Sequence, residues 1–216
     1  MPANIYKNKA GERIPGVTTV IGSNLGWSKG GLMHWAWEQG INGLDYRETR
    51  DAAANTGTIA HKMVEYEIKG KKFDWPSMGQ SMGANEEQIE QAQNAFNEFV
   101  NWRELVKFKL MKSEHLLISE QFNYGGQIDI AAVQGKTALI DIKTSNEIYP
   151  DHKIQLSAYD YLWNENYPGD PVNAWYILRL GKSGGFAYYS LPRIEIVTGF
   201  RAFKLLRELH DLKKKL

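Results

Sequence analysis

The stretch ALIDIKTSN, residues 138–146, places two opposite charges at the end of an apolar strand. Successive side chains of a β-strand point to opposite faces of the sheet. Asp141 and Lys143 therefore share one face, and Ile140 and Ile142 lie on the other. An ion pair at a sheet edge is the simplest interpretation. The alternative is a site in which both charges act on a substrate, and the neighbouring strands bear on that choice.

A second carboxylate, Asp129, lies on the polar face of the preceding predicted strand, together with Gln127. If the two strands form a hairpin, Asp129 and Asp141 converge. Two carboxylates that close repel each other and need a cation or a shared proton. Mg²⁺ binds oxygen ligands of this kind, completed by a backbone carbonyl and waters. The pattern therefore predicts a divalent-metal site, with Lys143 facing the water or phosphate held there.

Further candidates lie on two predicted helices and one strand. Gln155 and Tyr159 are four residues apart and so share a helix face. His61 and Glu65 have the same spacing upstream, in GTIAHKMVEYE. Glu120 lies on the first predicted strand of the second half. Each has an ordinary alternative: a helix pairing for His61, and a solvated edge charge for Glu120.

Hydrophobic periodicity and turn residues predict the elements that must position these side chains. Helices are predicted at 32–39, 47–69, 86–109, 151–166 with Asp151 as N-cap, and 193–213. Strands are predicted at 115–124, 127–133, 136–143, 174–180 and 185–191, with turns at 125–126 and 134–135. Residues 1–30 are predicted to be irregular with a short strand at VTTVI, and 71–85 to form a loop.

This order of elements predicts an α/β (α+β) fold, with a central mixed β-sheet of about five strands flanked by helices on both faces. The first three strands form an antiparallel meander because their connections are short. No repeat or linker divides the chain. We therefore expect one domain over 1–216, with a mainly helical N-terminal part (1–110) and a sheet-containing catalytic core (111–216).

Composition excludes several classes of protein. The 216 residues contain no cysteine, which excludes disulfides, thiolate catalysis and iron–sulfur clusters. No apolar run reaches the roughly 20 residues of a membrane helix, and the N-terminus lacks a secretory signal, so we expect a cytoplasmic protein without membrane contact.

Lys and Arg number 26 against 25 Asp and Glu. Contacts with nucleic acid must therefore use local patches. A solvated face or frayed tail is the favoured interpretation of each candidate patch; the candidates are KGKK at 69–72, Lys107, Lys109, Lys112 and 213–215.

In this order the motifs resemble the PD-(D/E)XK nuclease superfamily. They are the helix with His61, a Glu on a strand, G-x-x-D from Gly126 to Asp129, D-I-K-T from Asp141, and Q-L-S-A-Y from Gln155. More narrowly, residues 55–66 and 115–162 are similar to the RecB-type branch, which includes small phage exonucleases. The GVTTVIG segment is also similar to one in phage members.

The resemblance implies a restriction-endonuclease-like core and a role for each motif residue. Asp129 and Asp141 become metal carboxylates, and Lys143 becomes the catalytic lysine. The other implied metal ligands are His61, the backbone carbonyl of Ile142, and Glu120; the implied residues that orient the site and substrate are Gln155 and Tyr159. The implied cofactor is Mg²⁺ or Mn²⁺, without an iron–sulfur cluster. Ile128 departs from the family name, which has Pro there, and Asp141 takes the Asp/Glu position.

The resemblance also implies a function. We expect a metal-dependent deoxyribonuclease, an exonuclease in DNA recombination, repair or phage DNA processing. DNA is the expected partner, with a recombination partner protein or a homo-oligomer left open, and the host cytoplasm is the expected location if a phage encodes the chain. The alternatives are a structure-specific endonuclease, a silent DNA-binding module, and a sugar hydrolase with Asp129 and Asp141 as its acid/base pair.

Four aromatic residues are candidates for stacking on unpaired bases: Trp27, Trp35, Trp37 and Tyr149. For Trp35 and Trp37 we favour positions in a hydrophobic core.

Overall fold

The computed structural model describes residues 4–26, 29–106, 108–133 and 136–216. Trp27, Lys107 and the predicted turn at 134–135 lie outside the described residues. The described helices are α1 (Val17–Asn24), α2 (Lys29–Ile41), α3 (Tyr46–Ile68), α4 (Trp75–Ser81), α5 (Glu86–Val106), α6 (Pro150–Asn166) and α7 (Arg193–Leu212). The described strands are β1 (Tyr6–Lys7), β2 (Arg13–Ile14), β3 (Lys109–Ser119), β4 (Tyr124–Val133), β5 (Thr137–Lys143), β6 (Val172–Leu180) and β7 (Phe186–Ser190).

Strands β3 to β7 form one mixed sheet in chain order, which confirms the predicted fold class. β3, β4 and β5 are the predicted antiparallel meander. β6 pairs parallel to β5 after the α6 crossover, and β7 pairs antiparallel to β6. β5 is therefore the central strand and is buried on both faces. The ion pair of the simplest interpretation is present between residues 141 and 143, but its predicted place at a sheet edge is wrong, because β5 is central.

Helices cover both faces of the sheet, as predicted. α3 and α5 pack on one face, around Ile59, Met63 and Phe99. α1, α6 and α7 pack on the other, around residues such as Trp163 and Phe203. No helix in the described part of the chain is long and apolar enough to span a lipid bilayer. Two helices on opposite faces, α3 and α6, therefore carry the predicted helical site residues to the sheet.

The predicted strand at VTTVI is wrong, because these residues form the first turns of α1. Val17, Val20 and Ile21 are buried, and their spacing of three and four residues is that of one helix face. β-branched residues favour strands only weakly, and packing of this face against α6 and α7 overrides the preference.

Other local predictions also need correction. The helix predicted over 86–109 ends at Val106, and the strand predicted over 115–124 is β3, which begins at Lys109 and ends at Ser119. The predicted loop 71–85 contains α4, where the Asp74 side chain accepts a hydrogen bond from the Ser77 N–H at 3.1 Å and so caps the helix. α6 begins at Pro150, and its N-cap is Tyr149 rather than Asp151. The β1–β2 hairpin, at residues 6–14, lies in a region predicted to be irregular.

Gly125 and Gly126 lie inside β4 and not in a turn. A Cβ on Gly125 would lie 2.2 Å from the Tyr6 ring, and a Cβ on Gly126 would lie 2.7 Å from both Tyr159 and Leu162. These distances are far below van der Waals contact. Close packing against β4 therefore requires these glycines, whereas from the sequence alone the Gly-Gly pair indicated a turn.

Candidate metal centre

Three side chains from three elements converge on one point. His61 of α3, Glu114 of β3 and Asp129 of β4 each offer a ligand atom, and these atoms lie within 4.8 Å of one another. The Nδ1 atom of His61 is 3.6 Å from an Asp129 oxygen and 3.8 Å from a Glu114 oxygen. One imidazole nitrogen and two carboxylate oxygens form a donor set that suits a divalent cation.

Asp129 lies where the sheet pairing is interrupted on both sides. The β3–β4 ladder skips the position at which Glu114 faces Asp129, and the β4–β5 ladder ends at Ile130. The Asp129 carboxylate instead accepts a hydrogen bond from the Ile142 backbone N–H at 2.7 Å. A side chain thus replaces a backbone partner, and this fixes the carboxylate beside the end of β5.

Glu114 has a left-handed backbone, with a φ of 51°. For a residue other than glycine this conformation costs on the order of 1–3 kcal/mol, and such strain concentrates at functional sites. The side-chain amide of Gln127 donates to the Glu114 carboxylate, and Asn4 donates to the Gln127 carbonyl oxygen. The strained backbone and this hydrogen-bonded chain hold Glu114 toward His61.

The charged groups in this cluster shift one another's pKa values. Burial alone would lower the pKa of His61, but the Asp129 and Glu114 carboxylates outweigh burial and raise it to about 10. Burial raises the pKa of Glu114, whereas the opposing attraction of His61 keeps the pKa of Asp129 below its usual value despite burial. The two carboxylates therefore hold a proton on the imidazole, and a divalent cation would satisfy the same negative charge.

Asp141 and Lys143 form a buried ion pair beside the cluster. The Lys143 ammonium lies 2.6 Å from an Asp141 oxygen, and the two side chains are 15% and 1% exposed. Burial raises the pKa of Asp141 to about 6, although Lys143 opposes this rise. Lys143 is the charged partner of this carboxylate, whose two oxygens are both shielded from solvent. Burying a carboxylate costs free energy even beside one ammonium group, and a bound metal ion would offset that cost.

Gln155 and Tyr159 line the same cleft as the carboxylates Glu114 and Asp129, a cleft of about 280 Å³. The Gln155 amide donates to the Tyr159 hydroxyl at 2.9 Å, which confirms that they share a helix face. Burial raises the pKa of Tyr159 well above its usual value. The hydroxyl therefore stays protonated and can donate a hydrogen bond to a ligand in the cleft.

The structure brings most of the predicted site residues together. They are His61, Asp129, Asp141, Lys143, Gln155 and Tyr159. Of these, His61 and Asp129 belong to the three-residue cluster, and the others lie around it. The N–H of Ile142 is used by Asp129, and its carbonyl stays a predicted ligand. Glu120 does not join the cluster. It lies in the turn after β3, where its carboxylate accepts from the Lys9 N–H at 3.0 and 3.2 Å.

Sequence reasoning missed Glu114, which takes the place predicted for Glu120. Both residues fall in one stretch, KSEHLLISE, in which polar residues flank three apolar ones without the alternation that would assign strand faces. Only the register of β3 against β4 puts Glu114 opposite Asp129. A recognisable tight turn would have allowed this register to be predicted from the sequence. The connection at 120–123, however, is four residues long and contains no glycine. Glu65 also departs from expectation, because it pairs with Lys62 and Lys69 and not with His61.

His61→Ala should weaken Mn²⁺ affinity and lower turnover, each by at least about tenfold, the low end for disturbing a metal ligand's surroundings. The imidazole is one of three donors in the cluster, and its loss leaves two carboxylates to hold the ion. The measurement is DNA cleavage as a function of Mn²⁺ concentration. His210→Ala, on α7, is the control. An unchanged Mn²⁺ titration and unchanged turnover in His61→Ala would indicate that His61 has a structural role and does not bind the ion.

Gly126→Ala should disturb the wall of the cleft. The new methyl group would lie 2.7 Å from Tyr159 and Leu162, so the Tyr159 ring must move. Overpacking of this kind costs about 1–3 kcal/mol of unfolding free energy. Urea unfolding measures the loss, with Gly169→Ala as control because a methyl group there meets no atom within 4 Å. Equal stability of Gly126→Ala and wild type would contradict the tight packing.

Comparison with known proteins supports the fold. No protein-family model and no curated protein matches the sequence. A presumed exonuclease from Eubacterium rectale superposes with a TM-score of 0.50 at 9% identity, over 69% of this chain and 64% of that chain. An alkaline exonuclease (LHK-Exo) from Laribacter hongkongensis gives a TM-score of 0.39 at 13% identity, over 71% of this chain and 82% of that one. At 9% identity, the similarity to the first of these structures establishes the fold alone.

Proposed function

We propose that this protein is a divalent-metal-dependent deoxyribonuclease that hydrolyses phosphodiester bonds. We further propose that it acts as an exonuclease in DNA recombination, repair or phage DNA processing. The observation that carries this proposal is the convergence of His61, Glu114 and Asp129 beside the buried pair Asp141 and Lys143. The resemblance to PD-(D/E)XK nucleases and the fold shared with a presumed exonuclease support it.

The residues present fit a bound Mg²⁺ or Mn²⁺. His61, Glu114 and Asp129 would hold the ion, and the buried Asp141 carboxylate, paired with Lys143, lies beside them. When bound, such an ion supplies positive charge that activates water and offsets the charge developing on the phosphoryl group. The protein's part is to keep these donors in place, which the Ile142 N–H does for Asp129.

Lys143 is the residue proposed to act on the phosphate or on the attacking water. Its ammonium is held by Asp141, so the cation is already in position before substrate arrives. Preorganised charge of this kind stabilises developing negative charge without reorganisation during the reaction. Gln155 and the Tyr159 hydroxyl, which line the cleft beside Glu114 and Asp129, are proposed to orient the substrate.

Both proposed parts of the chain contribute to this site. The helical part, 1–110, supplies His61 on α3, and the core, 111–216, supplies the carboxylates and Lys143. Gly57 allows α3 to approach the end of β5, since a methyl group there would lie 2.8 Å from the Thr144 hydroxyl. A site assembled across both parts supports a single catalytic domain over 1–216.

A cleavage assay on end-labelled linear DNA and covalently closed circular DNA tests this function. We expect linear DNA to be degraded from its ends in Mg²⁺ or Mn²⁺, circular DNA to be spared, and EDTA to abolish activity. Cleavage of the closed circle would indicate an endonuclease instead. Full activity in EDTA would contradict the metal requirement, and DNA binding without cleavage under all conditions would indicate a silent binding module.

A further inference from the structure

Helix α2 presents large apolar side chains to solvent. None of its residues, 29–41, is buried, and all of them lie in the described part of the chain. Four large side chains, Leu32, Met33, Trp37 and Ile41, are between 55% and 72% exposed, and Leu44 just after the helix is 53% exposed. The core position favoured for Trp37 is therefore wrong. Several large apolar side chains exposed together on one helix mark an interaction site.

The glycines of α2 have no packing explanation in the described part of the chain. A Cβ added at Gly30, Gly31 or Gly40 would meet no heavy atom within 4 Å. Glycine inside a helix is less stable than alanine, so three in thirteen residues weaken α2 without any packing gain in the described structure. Close approach of a second backbone is a physical reason for glycine at such positions.

The apolar face is complementary to itself. Met33, Trp37 and Ile41 are spaced by four residues and lie on one face, with Trp37 at its centre. If two α2 helices cross antiparallel about a two-fold axis at Trp37, each Met33 meets the other copy's Ile41. Rows of side chains four residues apart form the ridges that interlock in the commonest helix packing. The same arrangement brings Leu44 near the glycines at the start of the other helix.

Charge argues for a protein partner rather than DNA. Residues 29–44 contain one lysine, Lys29, and one acidic residue, Glu38, so the face has no positive surplus to attract a polyanion. The centres of protein interfaces are depleted in charge and enriched in Trp and Met, as this face is. Its exposed apolar area, on the order of 600 Å² per copy, is most of the roughly 800 Å² per partner of a standard interface.

We propose that α2 forms a two-fold symmetric dimer of this chain, with Trp37 at the axis and Met33 packed against Ile41 of the other copy. The proposal does not depend on nuclease activity. A single dimer interface would explain three features of α2: its exposed apolar face, its glycines, and the spacing of Met33, Trp37 and Ile41.

Disulfide trapping tests the geometry, because the chain contains no cysteine of its own. The double variant Met33→Cys with Ile41→Cys should form a disulfide-linked dimer on mild oxidation. The two positions are about 12 Å apart along one helix, which is too far for an internal disulfide. Each single variant should remain unlinked, because position 33 lies about as far from position 33 of the other copy as from position 41 of its own helix, and the same holds for position 41. Efficient linking of either single variant, or no linking of the double variant, would overturn the proposal.

Sedimentation velocity of the full chain tests the dimer without cysteines. Wild type should sediment as a concentration-dependent dimer, and Trp37→Glu should weaken association by at least about thirtyfold, the effect of losing a central interface residue. Leu105→Glu, on α5 and 73% exposed, is the matched control and should associate like wild type. Circular dichroism should be unchanged, because Trp37 is not buried. A monomeric wild type, or a Trp37→Glu variant that loses DNA binding while associating normally, would contradict the dimer.

Discussion

Lys143→Ala is expected to slow single-turnover cleavage of a labelled DNA duplex by at least about a hundredfold, the low end for losing a donor aimed at developing charge. The Lys143 ammonium is fixed 2.6 Å from the buried Asp141 carboxylate at the edge of the candidate metal centre. An exposed surface ion pair would contribute only about 0–1 kcal/mol to stability, and its loss would leave catalysis intact. Here both side chains are largely buried, so an ordinary surface pair does not describe them.

The fold should survive Lys143→Ala. Removing the ammonium leaves Asp141 buried without its partner, but the pKa of that carboxyl is already raised to about 6, and it can take up a proton. Circular dichroism checks the fold, and a binding assay in Ca²⁺ checks that DNA is still bound. Lys153→Ala is the matched control, because Lys153 pairs with Glu195 at 2.7 Å on the same chain but outside the site. A Lys143→Ala rate within a fewfold of wild type would rule out the catalytic role.

Glu114→Gln is expected to reduce Mn²⁺ affinity and turnover by at least about a hundredfold, since even an outer partner of a metal ligand is worth about ten- to a hundredfold. The substitution keeps the shape of the side chain and removes its charge from the cluster with His61 and Asp129. Glu120→Gln, by contrast, changes a carboxylate that bonds the Lys9 backbone in a turn, and turnover should stay within a fewfold of wild type.

The two glutamate variants form a matched pair. They carry the same chemical change six residues apart, on β3 and in the turn that follows it. Mn²⁺ titrations of DNA cleavage, run in parallel on both variants, measure the difference. A larger loss in Glu120→Gln, or equal activities in the two, would show that Glu114 is not the residue that holds the ion.

Most of the fold and much of the candidate site were predictable from the sequence. Alternation along β4 and β5 placed Asp129 and Asp141 on polar faces of apolar strands, and short connections predicted the meander that joins them. Helical spacing predicted that Gln155 and Tyr159 share a face, and their side chains are hydrogen-bonded. These features depend on local periodicity, which a single sequence contains.

The remaining features depend on contacts between distant segments. Choosing Glu114 over Glu120 requires the register of β3 against β4, and the left-handed backbone at Glu114 leaves no mark in the sequence. The helix at VTTVI forms because α6 and α7 cover its buried face. The exposure of Trp37 reverses the usual expectation for a tryptophan, because no described segment covers α2.

Mn²⁺ binding to the DNA-free protein, followed by electron paramagnetic resonance, tests the metal centre most directly. Asp129 lies nearest the middle of the site, with its carboxylate beside His61 and bonded to the Ile142 N–H. Wild type is predicted to bind Mn²⁺, and Asp129→Asn to bind it at least about a hundredfold more weakly. Asp211→Asn, on the surface of α7, serves as the control and should bind like wild type. Wild-type Mn²⁺ affinity in a folded Asp129→Asn variant would contradict a metal centre formed by His61, Glu114 and Asp129.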